Sequence, residues 1–256
     1  MPLQNRVTPF GQLEAVAVRY DPTTAAFGNR GVLHNQRKEI TRQYATKAFL
    51  ACKLNVNRIR RIQRDDNRCF NGRKRIVMRP GFYTELFFLD QYVATAAGHR
   101  PCACCRRKEY GAFMAAWVCA RGVHHVSGTQ KTAWTAGLVD DILHRERAIS
   151  APSDPSPIGD SLATLPEGTF VSLSMRGAPT TRADAWMCWR GHLLRWSHEG
   201  YCERLPMSDV DEHDKSLALL TPRSMVEAMR CGFVPGAVHP SAEALFVNGD
   251  VQVEAQ

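Results

Sequence analysis

The stretch Gly98-His99-Arg100-Pro101-Cys102-Ala103-Cys104-Cys105-Arg106-Arg107 combines two closely spaced cysteines, a turn and a positively charged flank. Cys102 and Cys105 have the C-x-x-C spacing that lets two thiolates on one tight turn bind the same ion at tetrahedral angles. Gly98 and Pro101 shape the backbone that enters this turn. The alternative is a chance cluster of buried or redox-active thiols. In a reducing compartment the spacing favours a metal site, and it predicts a zinc knuckle.

A structural zinc ion needs four ligands, so the C-x-x-C pair supplies only half of the set. The upstream candidates are His34, Cys52 and Cys69. Cys52 lies in an apolar segment, His34 follows a glycine-rich turn, and Cys69 lies within a hydrophilic insert. The predicted ligands of a structural Zn²⁺ are therefore His34, Cys52, Cys102 and Cys105, with Cys69 as the alternative to His34.

The positive charge of the chain is concentrated in one segment. The formal net charge is +8, and residues 53–79 contain ten Lys or Arg against two Asp, so ten minus two accounts for the whole surplus. Such a cationic segment is typical of a surface that binds a polyanion, most often nucleic acid. A solvated hairpin is the alternative. DNA contacts are predicted for Arg58, Arg60, Arg61, Arg64, Arg73, Lys74, Arg75, Arg100, Arg106 and Arg107.

Composition favours an ordinary globular protein of the cytoplasm. The 256 residues are 44% hydrophobic and 23% charged, and no apolar run approaches the roughly 18 residues that a membrane span requires. The first residues lack the apolar core of a signal peptide. Nine cysteines are an odd number and show no disulfide framework, which indicates a reducing compartment. We therefore expect a cytoplasmic location and no membrane partner.

A segment rich in Pro and Ser, residues 150–166, is typical of a linker. It predicts two domains in an α+β fold: a basic zinc-knuckle domain over 1–149 and a small β-rich domain with one helix over 167–256. In the first domain, apolar residues of 109–121 recur with the period of an amphipathic helix. In the second, strands are predicted at 169–173, 186–189, 192–196 and 216–220, followed by a helix over 222–231.

The motif resembles a known family. Phe87-Phe88-Leu89-Asp90, Ala94, the run Ala96–Cys102 and Cys105 are similar to the second half of the zinc domain of the Ada family of methylated-DNA repair proteins. In that family the two remaining ligands come from an upstream hairpin, which supports Cys52 with either His34 or Cys69. The first Cys-x-x-x-Cys pair of the family does not occur here, so the resemblance does not imply methyl transfer. The chain as a whole resembles uncharacterised proteobacterial proteins.

Four residues are candidates for catalysis. Asp141 and His144 share one face of a short predicted helix and could activate a water molecule by general-base chemistry. Glu85 and Asp90 flank a strand rich in phenylalanine, although Asp90 also fits the N-cap of the next helix. The alternative for the helix is a charged surface without catalytic function.

These observations predict a DNA-binding protein that acts in DNA repair or in defence against foreign DNA. Removal of a modified base by a DNA glycosylase fits better than cleavage by a nuclease, because the sequence shows no carboxylate cluster for a second metal ion. The alternative is a zinc-dependent module that binds nucleic acid without catalysis.

Overall fold

Mixed α+β structure, as predicted, is present in a computed structural model of the chain, with two main sheets and five α-helices among the residues it describes. The described residues are 4–18, 23–53, 69–70, 73–74, 77–122, 134–149, 161–175, 184–210 and 215–247. The first half contributes the strands β1 (Gln4–Val7), β2 (Leu13–Val16), β3 (Ala26–Asn29), β4 (Leu50–Cys52), β5 (Cys69–Phe70), β6 (Arg73–Lys74), β7 (Leu86–Phe88) and β8 (Arg100–Pro101).

Six of these strands form one sheet in the order β2-β1-β7-β3-β4-β8, while β5 and β6 form a separate antiparallel hairpin. Strand β8 lies at the edge of the sheet and pairs in parallel with β4, with Leu50 opposite Arg100 and Ala51 opposite Pro101. Proline is tolerated at a sheet edge because the N–H that it lacks is not needed by an inner neighbour.

The described part of the first half also contains three α-helices: α1 (Gln91–Ala96) between β7 and β8, and α2 (Arg107–Arg121) and α3 (Ala136–Ile149) after β8. Asp90 caps α1, and its carboxylate accepts hydrogen bonds from the backbone N–H groups of Tyr92 and Val93, which confirms the predicted N-cap. Gly98 has φ of +75°, a left-handed conformation that turns the chain from α1 into β8. Among the described helices, none combines the length and the apolar character needed to span a membrane.

The second sheet is antiparallel and has the order β12-β11-β10-β9-β13. Its strands are β9 (Phe170–Met175), β10 (Asp184–Trp189), β11 (His192–Trp196), β12 (Tyr201–Pro206) and β13 (Lys215–Leu219), and α4 (Arg223–Arg230) and α5 (Pro240–Val247) follow them. Only one helix was expected in this half. The second, α5, begins at a proline, which favours the first helical position because the missing N–H has no partner there in any case.

The largest hydrophobic cluster is shared by both halves of the chain. It joins Val7 and Phe88 of the first sheet to Phe170 and Met187 of the second, all buried. The hydroxyl of Tyr201 also donates to Asp90 at 2.9 Å. The two sides of the 150–166 segment therefore pack on one core. The boundary itself stays a prediction, and residues 150–160 lie outside the described residues.

Candidate metal centre and adjoining cavity

The parallel pairing of β4 and β8 brings the first two cysteines together. Arg100 N–H donates to the Phe49 carbonyl at 3.1 Å, and Cys102 N–H donates to the Ala51 carbonyl at 2.9 Å. Since Cys52 follows Ala51 directly, the ladder leaves Cys52 and Cys102 side by side at the end of the pair.

A tight turn returns the third cysteine to the same place. The N–H of Arg106 donates to the Cys102 carbonyl at 2.9 Å, which closes the turn just before α2 begins. The sulfur atoms of Cys52, Cys102 and Cys105 all lie within 4.8 Å of one another. Cys104 is exposed and lies outside this set. The three cysteines, called the cysteine group below, could hold a metal ion.

The three thiols of the cysteine group interact with one another through hydrogen bonds. Hydrogen bonds with Cys102 and then Cys105 raise the pKa of Cys52. The pKa of Cys102 is lowered, because its sulfur accepts hydrogen bonds from Cys105 and Cys52. The backbone N–H of Lys53 also donates to the Cys105 sulfur at 3.4 Å. The three sulfur atoms are thus coupled to one another, and a cation that bound all of them would release their protons.

Of the other two candidate ligands, His34 lies apart from the cysteine group, and the side chain of Cys69 lies outside the described residues. His34 is buried, with Nδ1 at 2.7 Å from the Thr84 hydroxyl and Nε2 at 3.2 Å from the Arg79 carbonyl. Both ring nitrogens are therefore used within the protein, away from the cysteine group. Cys69 pairs through its backbone with Lys74 in the β5–β6 hairpin, and its side chain lies outside the described residues.

The arginines near the motif have different environments. Arg100 is 4% exposed and makes a bidentate ion pair with Asp140, at 2.8 and 2.7 Å. Arg106 is also buried and donates to the Pro235 carbonyl at 3.0 Å. Both guanidinium groups serve packing inside the protein, and only Arg107 of this set lies on the surface.

The side chains of the remaining predicted DNA contacts lie outside the described residues. Arg73 and Lys74 form β6, of which only the backbone is described. The other members lie outside the described residues: Arg58, Arg60, Arg61, Arg64 and Arg75. Their role as phosphate contacts stays a prediction.

The helix carrying the candidate catalytic pair presents Asp141 to solvent. Its carboxylate accepts a hydrogen bond from Lys47 Nζ at 2.7 Å, and this bond lowers the pKa of Asp141. His144 packs edge-on against Tyr44, with 4.9 Å between ring centroids. Burial, followed by the charge of Arg147, lowers the pKa of His144. Asp141 is therefore engaged by a lysine, and His144 by an aromatic ring.

Glu85 and Asp90 are both buried and bound to backbone groups. Glu85 accepts from the Met78 N–H at 2.9 Å. Asp90 accepts from the His239 N–H at 3.1 Å as well as from the start of α1 and from Tyr201. Burial raises the pKa of Asp90. Such positions are typical of carboxylates that stabilise a fold.

A cavity that the sequence did not indicate opens beside α1 and α3. It has a volume of about 400 Å³ and is lined by Arg30, Phe49, His144 and Arg147, among others. His99, three residues before Cys102, accepts a hydrogen bond from Arg30 Nε at 3.1 Å. We call this space the arginine cavity. No sequence pattern links Arg30 with Arg147, since only the fold brings them together.

Comparison with known proteins adds no identity to this geometry. No protein-family model matches the chain, and neither a curated protein nor a solved structure is significantly similar to it.

Proposed function

We propose that this chain is a DNA-binding protein whose binding surface is stabilised by a structural zinc ion. The observation that carries the proposal is the position of the cysteine group at the beginning of the cationic segment. Cys52 is followed directly by Lys53, whose N–H donates to Cys105. An ion held by Cys52, Cys102 and Cys105 would therefore fix the point from which residues 53–79 leave the sheet.

Zinc is the metal that best suits these donors. Thiolates are soft ligands, and tetrahedral sites rich in cysteine are typical of structural zinc. Cys52 and Cys102 are buried and Cys105 is partly buried, and the three pack among Phe27, Tyr83 and Phe87, which limits access of water. Cys69, which the sequence offers as the alternative to His34, completes the set of four in this proposal. Zinc would here cross-link strand, turn and cationic segment rather than take part in a reaction.

The charge distribution supports DNA as the partner. Residues 53–79 carry a charge of +8, equal to that of the whole chain. Arg107 and Lys108, directly after the cysteine turn, are exposed and add positive charge beside the cysteine group. Phosphate contacts of this kind position a protein on DNA and make its affinity strongly dependent on salt.

The test is fluorescence anisotropy of the zinc-loaded protein with a labelled DNA duplex at several salt concentrations. Log Kd should rise linearly with log salt, with a slope of about 0.9 per phosphate neutralised. The variants Arg73→Glu and Arg107→Glu should each weaken binding and reduce this slope. Arg37→Glu, an equal change at an exposed arginine outside the segment, is the control.

Two results would contradict the proposal. One is binding that does not depend on salt, and the other is an equal effect of Arg37→Glu and Arg73→Glu. Incubation with plain and modified duplexes separates a binding module from an enzyme. Breaks that appear only after alkali indicate base removal, direct breaks indicate a nuclease, and intact DNA indicates binding without catalysis.

A further inference from the structure

The arginine cavity has walls of one charge sign. They carry two guanidinium groups, from Arg30 and Arg147, together with the rings of Phe10, Tyr44 and Phe49. No acidic residue is found among the described residues that line it. Burying cations without a counter-charge costs several kcal/mol unless their hydrogen bonds and charge are compensated. This cavity is therefore electrostatically incomplete.

Arg30 is the clearest sign of that incompleteness. It is 2% exposed; Nε donates to the ring of His99, and Nη1 donates to the Gly11 carbonyl at 2.8 Å. The third nitrogen, Nη2, is buried and has no hydrogen-bond partner among the described residues. It lies 3.9 Å from the point where a Cβ on Gly11 would stand, and Gly11 lines the cavity. An unused donor thus lies buried directly beneath the cavity wall, next to Gly11.

His99 cannot supply the missing negative charge. Its Nε2 accepts from Arg30 and therefore carries no proton. Burial, and next the charge of Arg30, lowers the pKa of His99 well below its usual value. Burial, and next the charge of Arg147, lowers the pKa of Arg30 to about 9. In both cases burial acts first and a neighbouring positive charge second.

Arg30 and Arg147 both stack on the ring of Phe49. The guanidinium carbon of Arg147 lies 3.6 Å from the centroid of Phe49, and that of Arg30 lies 4.3 Å from the same centroid. Arg147 Nη2 also donates to the Lys47 carbonyl at 2.7 Å. Stacking on one ring restricts the rotamers of both arginine side chains, which lowers the entropic cost of binding an anion.

The nearest carboxylates are already engaged elsewhere. Asp140 and Glu146 both act electrostatically on Arg147. Asp140, however, binds Arg100 in the bidentate pair, and Glu146 accepts from the Ser224 N–H at 3.1 Å. The charge of the arginine cavity is therefore left for a ligand to balance.

We propose that the arginine cavity binds a small organic anion, a phosphate or carboxylate carried on a flat ring, with the oxyanion at Arg30 Nη2 and the ring against the aromatic wall. The volume is that of ordinary small-molecule sites, which combine apolar walls with a few polar groups. Guanidinium groups form strong, charge-assisted hydrogen bonds with phosphate and carboxylate oxygens, and Nη2 is the Arg30 nitrogen left to make one. This ligand is additional to DNA and to the metal ion.

Isothermal titration calorimetry of the full-length, zinc-loaded protein tests this proposal with four probes. Phenyl phosphate and benzoate carry both features and differ in the oxyanion, so together they identify which one is preferred. Benzyl alcohol lacks the charge, and inorganic phosphate lacks the ring. At least one of the two aromatic anions should bind about tenfold or more tightly than either incomplete probe, a difference of about 1.4 kcal/mol or more.

Variants locate the binding to the cavity. Arg30→Lys keeps the charge but loses the planar fork, and it should weaken the preferred probe by about tenfold. Arg42→Gln removes an exposed charge near the cavity and should leave the affinity unchanged. If Arg30→Lys does not fold, Tyr44→Ala decides, because Tyr44 is 50% exposed and lies at the cavity.

The proposal is overturned if neither aromatic anion binds with a Kd below about 10 mM. Equal affinity for inorganic phosphate or benzyl alcohol would overturn the proposed ligand class. Unchanged affinity in the folded variants at Arg30 and Tyr44 would place the binding elsewhere on the protein and also overturn it.

Discussion

The cysteine group and the arginine cavity are both built on residues 98–102, and they differ in sign and in shape. Cys102 contributes a thiol to a set within 4.8 Å, which has room for a single ion. His99, three residues earlier, supports Arg30 at a cavity of about 400 Å³. The first region groups thiols that could hold a cation, and the second groups guanidinium groups for which we propose an anion. One short segment thus supports two sites of opposite preference, because its side chains face different neighbours.

Removal of a cysteine ligand should have the largest effect, on both the metal content and the stability of the protein. We expect Cys102→Ser to lose bound zinc and to lower the melting temperature by roughly 10 °C or more, because the binding energy of a structural metal is folding energy. Metal content measured by mass spectrometry and thermal unfolding by circular dichroism check this result. Cys104→Ser, a change of the same chemistry at an exposed cysteine, should behave like the unaltered protein. A Cys102→Ser protein with unchanged metal content and melting would sink the zinc proposal.

The next largest effect is expected between the two regions, at the buried ion pair of Arg100 and Asp140. Asp140→Asn leaves a cation without its partner in a dry environment, and such changes destabilise by about 3–5 kcal/mol. Because Arg100 lies between His99 and Cys102, metal binding and anion binding should both weaken. Urea unfolding gives the stability change.

The adjacent residue provides the control for that experiment. Asp141 pairs with Lys47 on the surface, where the two side chains are 48% and 61% exposed. Exposed pairs contribute little, so Asp141→Asn should leave the unfolding midpoint unchanged. If Asp140→Asn and Asp141→Asn shift the midpoint equally, the buried pair does not support the two regions.

The smallest effect is expected from a change that alters the arginine cavity and leaves the cysteine group intact. Tyr44→Ala removes an aromatic contact worth about 0.5–1.5 kcal/mol, so the preferred aromatic anion should bind roughly two- to tenfold more weakly. Its zinc content should not change, because Tyr44 is not part of the cysteine group. Calorimetry and metal analysis on the same sample give both readings. Phe82→Ala, at a similarly exposed ring, is the matched control. A loss of zinc in Tyr44→Ala would show that the regions are not separate.

Sequence patterns predicted what depends on short spacing. The C-x-x-C pair and the apolar surroundings of Cys52 identified three residues whose sulfur atoms the structure brings together. Helical periodicity likewise predicted α2, and alternation predicted most of the second sheet. These features depend on neighbours along the chain, so the sequence alone carries their signal.

Other features depend on partners distant in sequence. The sequence predicts DNA contacts for Arg100 and Arg106 because charge is visible in a sequence and burial is not. In the structure the partner of Arg100 is Asp140, and that of Arg106 is the Pro235 carbonyl. The sequence likewise predicts His34 as a metal ligand, and in the fold its ring contacts the Thr84 hydroxyl. Arg30 gave no signal at all, since its meaning comes from Phe49 and Arg147.

The parallel pairing of β4 with the edge strand β8 has a consequence for how the chain folds. Shifting β8 by one residue would move Cys102 by about 3.3 Å along the sheet and turn its side chain to the opposite face. Only the register with Ala51 opposite Pro101 brings Cys52 and Cys102 together. An ion that binds the three sulfurs therefore selects this alignment and rejects its neighbours. The metal would thus enforce the correct strand alignment at this edge of the sheet, where only two residues of each strand are paired.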